Sequence, residues 1–253
     1  MRTMNDTVGH RSTQHGAGFR EIVGTSAGDA RLTWHPAESA RQGHGQGHGA
    51  QEQPARCVLA LGHGAGGGIE ARDLAALAAA LPPLGVTVAL IEQPWRVAGK
   101  KLAPAPKKLD AAWTELWPAL RRHGPPIVAG GRSAGARVAC RTAAELGAEA
   151  VLALSFPLHP PGKPEATRLA ELTGAGRPTL VVQGGRDPFG RPAEFPEDTE
   201  IVEVPDGDHG FAVPKRAAVG QDEALKVLTD AVGAWLAGRG LASSGGPSRP
   251  SRV

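Results

Sequence analysis

The sequence predicts an α/β fold: a mostly parallel sheet with helices on both faces and an antiparallel hairpin at its N-terminal edge. Three observations carry that expectation. Short apolar runs at Cys57–Leu61, Val86–Ile91, Ile127–Gly130, Val151–Leu154, Thr179–Val182 and Ile201–Val204 have the length of strands buried on both faces. Stretches with apolar residues at helical spacing separate them, as βαβ units require. The glycine-rich and polar turns follow the apolar runs directly, and the carboxyl ends of strands are where sheets of this kind place their chemistry.

Residues 1–17 are polar and aperiodic and read as a disordered tail. Phe19–Val23 and Arg31–Trp34 alternate like strands, and Thr25-Ser26-Ala27-Gly28-Asp29 supplies turn residues between them. Residues 36–56 form a polar insert with His44 and His48 in a run of alternating glycines. That run disfavours a helix, and no Cys or carboxylate stands close by, so the insert is expected to be a flexible loop and no metal is expected. Leu74, Leu77 and Leu81 mark a helix ended by Pro82-Pro83. Leu109, Trp113, Leu116 and Leu120 mark another, with Trp113 and Trp117 in the core and a kink or break expected at Pro118. Ala136–Leu146 reads as a helix, and the last one turns Leu225, Leu228, Val232 and Trp235 inward. The folded domain is expected over 18–238, with a second tail at 239–253.

A net charge of +3, with Lys and Arg interleaved with Asp and Glu, gives no stripe for nucleic acid. Cys57 and Cys140 lie in apolar stretches and read as buried thiols. Met1–Arg20 lacks the apolar core of a secretion signal, and no apolar run is long enough to span a bilayer. The expectation is a cytoplasmic protein with neither membrane nor nucleic-acid partners.

The chemistry centres on Gly130-Gly131-Arg132-Ser133-Ala134-Gly135. An apolar strand leads in and a helix leads out, the setting of a G-x-S-x-G nucleophile elbow. A serine hydroxyl needs a base within hydrogen-bond reach, and the base needs an orienting carboxylate. In α/β-hydrolases these follow in the order Ser, acid, His. Asp187, in Gly184-Gly185-Arg186-Asp187-Pro188, and His209, in Asp206-Gly207-Asp208-His209-Gly210, keep that order, each just past its own strand. Asp206 and Asp208 are the rival carboxylates, set aside because their closeness to His209 in sequence suits loop structure better. The oxyanion donors are expected to be the N–H of Ala134 and, from His63-Gly64-Ala65-Gly66-Gly67-Gly68, that of Ala65, with Gly64 and Gly66 as alternatives. A phosphate-binding reading of this loop lacks the G-K-[ST] ending.

These words, with Gln93-Pro94-Trp95-Arg96, Pro157-Leu158-His159-Pro160-Pro161 and Gly207-Asp208-His209-Gly210-Phe211, resemble a small α/β-hydrolase-fold family without a cap domain. It includes predicted bacterial hydrolases of dienelactone-hydrolase type, testis-expressed protein 30 and the hydrolase-like domain of an NSL chromatin-complex subunit. The resemblance implies the fold and supports Ser133, Asp187 and His209 as a triad. It leaves the His/Gly-rich insert and both tails uncovered. Proline-rich Phe156–Pro178, with a helical piece near Leu169–Leu172, is too short for a substantial lid.

His63, Arg96, Arg132 and His159 stand at strand ends and are candidate substrate contacts. Arg96 and Arg132 would receive an anionic group, or pair with Glu92 or Asp187 instead. His159 would touch substrate or hold its proline-rich loop. The expected function is a serine hydrolase acting on a small acyl substrate (an ester, thioester or lactone) through an acyl-enzyme, without a cofactor. The other reading is a protein-interaction module on a hydrolase fold.

Overall fold

Eight strands form one mixed sheet, with the N-terminal hairpin at one edge and the strand Ile201–Val204 at the other. The computed structural model describes residues 18–38, 55–124 and 126–244. The expected N-terminal tail, most of the insert with His44 and His48, and residues 245–253 lie outside the described residues.

Strands β1 (Phe19–Thr25) and β2 (Gly28–His35) are the expected antiparallel hairpin, longer than the apolar pattern suggested. The turn shrinks to Ser26-Ala27 because Gly28 takes φ +112°, which a side chain would resist. Both the N–H and the hydroxyl of Ser26 donate to Glu115, which ties the turn to a helix. Strand β2 pairs antiparallel with β4 (Val86–Glu92). From there β3 (Cys57–Gly62), β5 (Ile127–Arg132), β6 (Ala150–Leu154), β7 (Thr179–Gly184) and β8 (Ile201–Val204) add in parallel. Their C-terminal ends therefore lie along one edge of the sheet.

The alternating side chains of the central strands feed two cores. Val58 and Ala60 of β3 join Leu109, Trp113 and Leu116 of α3 (Pro106–Arg121) and Ala136 and Ala139 of α4 (Ala134–Thr142). Leu59 and Leu61 join Leu74 and Leu77 of α1 (Arg72–Ala80) and Leu228, Val232 and Trp235 of α6 (Gln221–Gly238). Helices thus cover both faces, as the buried apolar strands demand. Cys57 and Cys140 are buried, and burial pushes both thiols up to about 12.

Three details depart from expectation. Pro118 does not split its helix: α3 runs unbroken through it. Pro118 is exposed and Thr114, whose carbonyl loses its partner, is half-buried, so water can take up the freed carbonyl. A single-turn helix, α2 (Pro94–Val97), follows β4, started by Pro94 with its preset φ. At the C-terminus the packed chain continues beyond residue 238. Gly240 turns it back at φ +72°, Leu241 and Ala242 are buried, and Ser243 N–H donates to Leu84 O at 2.8 Å.

Between β6 and β7 the helix α5 (Leu169–Thr173) has five residues. No cap domain stands over the sheet edge among the described residues. None of their helices is long and apolar enough to cross a membrane.

Candidate active site

The serine is placed by strain and by glycine. Ser133 sits between β5 and α4 at φ 53°, ψ −110°, a conformation costing about 1–3 kcal/mol for a residue with a side chain. Packing holds it there. The Ser133 N–H donates to Leu154 O at 2.9 Å. A Cβ on Gly131 would stand 2.6 Å from Gly62 O, and one on Gly135 would overlap the same carbonyl, so the elbow closes onto β3 only with glycine at both positions. Helix α4 starts at Ala134, whose N–H belongs to the first turn and has no intrahelical acceptor.

The acid is placed by hydrogen bonds. Asp187 is fully buried in the turn after β7. Its Oδ1 accepts from Phe189 N–H at 2.8 Å, and its Oδ2 accepts from Gln183 Nε2 at 2.9 Å. Oδ2 also lies 2.8 Å from His209 Nδ1. Close approach of the two loops depends on Gly184, where a Cβ would overlap Gly207 O and stand 2.6 Å from Asp208 O. On its other side His209 places Nε2 3.0 Å from Ser133 Oγ. Nδ1 faces only a carboxylate, so it carries the proton, and Nε2 is left to accept from the serine hydroxyl. The Phe189 ring packs on His209 at 4.1 Å between centroids. Asp208 is occupied elsewhere: its Oδ1 accepts from Gly210 N–H at 2.7 Å and Ala212 N–H at 2.9 Å. Asp206 is held at φ 56° in the same loop.

The glycine-rich loop after β3 lies against the elbow. A Cβ on Gly64 would stand 3.5 Å from Ser133 Cβ, and the next residue, Ala65, is exposed. The four candidate substrate contacts are engaged within the protein. His63 is buried, with Nδ1 donating to Gly64 O at 2.8 Å and Nε2 accepting from Gln93 N–H at 3.2 Å. Burial holds its pKa below the ordinary value, so it is a neutral strut between the glycine-rich loop and the Gln93-Pro94-Trp95 turn. Arg96 pairs with Glu70 at 3.4 Å. His159 places Nδ1 2.9 Å from Pro160 O and Nε2 2.8 Å from Glu194 Oε2. Both partners are acceptors, so the ring is held as the doubly protonated cation, and its pKa is raised by the Pro160 carbonyl and then by Glu194. Arg132 turns to Asp73, with Nε 3.4 Å from Oδ2, and donates from Nη2 to His209 O at 2.9 Å.

Gln183 stands in β7, just past the apolar run Thr179–Val182, and carries a role that the motifs do not mark. Its buried amide donates to Asp187, to Gly190 O at 2.8 Å and to Phe156 O at 3.3 Å, so it aims the acid. A polar residue closing an otherwise apolar strand was the signal available. A cavity of about 320 Å³ beside α2 and α3 is lined by Gln93, Trp95, Lys100, Leu102 and Lys108 among others, and no residue of the Ser–His–Asp chain lines it. No cluster of three or more His, Cys, Asp or Glu side chains suited to a metal occurs among the described residues.

Strand order, a serine on a strand-to-helix turn, and no lid define the architecture of cap-less α/β hydrolases. The chain belongs to the α/β hydrolase domain family, whose model matches residues 55–237. A serine hydrolase without a lid from Xanthomonas campestris superposes with a TM-score of 0.63 at 16% identity, covering 89% of this chain and 98% of that one. A dienelactone hydrolase from Anabaena variabilis gives 0.62 at 18% identity, covering 88% and 97%. Esterase 2 of Thermogutta terrifontis gives 0.61 at 15% identity, covering 91% and 97%. At these identities the likeness is one of fold. No curated protein matches the sequence significantly.

Proposed function

We propose that the protein is a serine hydrolase that cleaves a small ester, thioester or lactone through an acyl-enzyme on Ser133. One observation carries the reading: an unbroken hydrogen-bonded chain from Ser133 Oγ through both nitrogens of His209 to the buried Asp187. His209 Nε2 takes the hydroxyl proton as Oγ bonds to the acyl carbon, and the carbonyl π pair moves onto oxygen. The N–H groups of Ala134 and of Ala65 receive that oxyanion. As the intermediate collapses, His209 gives its proton to the departing alkoxide or thiolate. A water molecule, deprotonated by His209 in turn, then releases the acid and restores Ser133. Asp187 keeps Nδ1 protonated and stabilises the imidazolium. In that last step the proton His209 takes from the water passes to Ser133 Oγ as its bond to the acyl carbon breaks, so the chain's own groups, the substrate and one water account for every proton and electron pair.

The test is labelling by a fluorophosphonate, which reacts quickly only with an activated serine. Parent protein should label and hydrolyse short acyl esters. Ser133→Ala should lose both while keeping its melting temperature within a few degrees. Equal labelling of the two would overturn the assignment.

A further inference from the structure

Two carboxylates are wholly buried among the described residues, Asp187 and Asp73. The first is spent on His209. The second lies in the first turn of α1, and neither of its oxygens accepts a hydrogen bond from a side chain among the described residues. Its one ion-pair partner is Arg132, the residue before the nucleophile. A buried carboxylate without a cation is costly, commonly enough to neutralise it. Burial pushes the Asp73 pKa up, and Arg132, then the backbone N–H groups of Asp73 and Leu74, and last His209 oppose that.

The Arg132 guanidinium sits where four parts of the site meet. Nε faces Asp73, and Nη2 donates to the His209 carbonyl. The backbone closes around it: a Cβ on Gly64 would stand 3.2 Å from Nη1, and one on Gly210 would stand 3.4 Å from Nη2. One planar cation thus joins α1, the glycine-rich loop, the elbow and the histidine loop. This fork geometry is one that lysine cannot reproduce.

We propose that Asp73 and Arg132 are positioning residues for acyl transfer: Asp73 orients the Arg132 guanidinium, and Arg132 holds the His209 main chain so that Nε2 stays against Ser133 Oγ. The inference rests on the serine-hydrolase reading above. It also gives the imidazolium formed during acylation a second, remote anion besides Asp187. The groups that face His209 are Asp187 at Nδ1, Ser133 at Nε2, the Phe189 ring, and Arg132 at the carbonyl, while Asp208 points into its own loop.

The experiment compares parent, Asp73→Asn, Arg132→Gln and the double variant by three readouts: labelling rate of Ser133, titration of the His209 imidazole by NMR, and melting temperature. Asp73→Asn leaves an unbalanced guanidinium beside His209, so the His209 pKa should fall and labelling should slow about tenfold to a hundredfold. In Arg132→Gln the buried Asp73 carboxyl loses its cation and takes up a proton, so the His209 titration should stay near the parent's while labelling slows similarly. The double variant, again neutral, should return the titration towards parent, and the losses should fall short of additive. A folded Asp73→Asn with unchanged His209 titration and labelling would overturn the proposal, as would strictly additive losses. Should Asp73→Asn fail to fold, Arg132→Gln and the double variant decide, and unchanged labelling in either, once folded, would overturn the proposal. Absence of labelling in the parent would sink the hydrolase reading itself, and the His209 titration would still decide whether the pair acts on the histidine.

Discussion

Replacing Asp187 by asparagine removes one charge from a site where every hydrogen-bond direction is already set. Oδ1 accepts from Phe189 N–H, and Oδ2 accepts from both Gln183 Nε2 and His209 Nδ1. An amide presents one oxygen and one NH₂. With the NH₂ at the Oδ1 position, it meets the Phe189 N–H donor to donor. With the NH₂ at the Oδ2 position, it meets Gln183 and drives the histidine into the tautomer that protonates Nε2 and cannot accept from Ser133. Either arrangement leaves a buried donor unpaired, at about 1–3 kcal/mol, and removes the charge that stabilises the imidazolium. The amide replacement in a Ser-His-Asp triad costs about 10⁴ in kcat, and at 1.36 kcal/mol per decade a fall of 10³ to 10⁴ is about 4 to 5.5 kcal/mol of barrier. Steady-state hydrolysis of a short acyl ester, beside a melting curve, measures both effects. Asp187→Asn should lose about three to four decades of kcat and a few degrees of melting temperature. Asp206→Asn should stay near parent, since asparagine tolerates a positive φ. Asp208→Asn keeps an oxygen for Gly210 and Ala212 and should lose little. Near-parental kcat in Asp187→Asn, or a larger loss in Asp206→Asn, would refute the reasoning.

Other outcomes follow from the same geometry. With no helix longer than α5 between β6 and β7, no cap is available there to wall a deep apolar sleeve, so kcat/KM should not climb steadily from acetyl to long fatty acyl esters, each methylene of which would gain roughly 0.8 kcal/mol in such a sleeve. Gly184→Ala should push the histidine loop off the acid loop, cost about 1–3 kcal/mol of stability and lower kcat, whereas Gly238→Ala, with nothing within 4 Å of the added carbon, should leave both intact. His159 has a folded-state pKa above its ordinary 6.5, so its contribution is complete below that value and is lost as pH rises through the raised one. Melting temperatures taken from pH 6 upward should therefore fall more steeply for the parent than for His159→Gln, and parallel curves would show the ion pair to be inert.

Strands β3 to β7 were legible because each is an apolar run buried on both faces, a signal that survives without partners. The serine turn was legible for a different reason: Gly131 and Gly135 are required by contacts with Gly62, and such close approach leaves a sequence mark. Boundaries were less so. Gly28 shortened the first turn, Gly240 folded back a segment that composition alone had assigned to a tail, and Pro118 was tolerated because it faces solvent, which a breaker rule cannot know.

The roles of the charged residues were the least legible, and the reason is physical. Arg96, Arg132 and His159 were each weighed both as a ligand contact and as a structural residue, the arginines with Glu92 or Asp187 as partners. The acceptors they meet are Glu70, Asp73 and Glu194 respectively, each from another element. An ion pair between side chains far apart in sequence has no period and no local motif, so a single chain read in order cannot show it. The consequence bears on specificity. With these groups engaged, none of the three offers an uncommitted cation beside Ser133. Under the proposed hydrolase reading a neutral acyl ester should therefore be preferred to an anionic one, and a higher kcat/KM for the anionic ester would refute that.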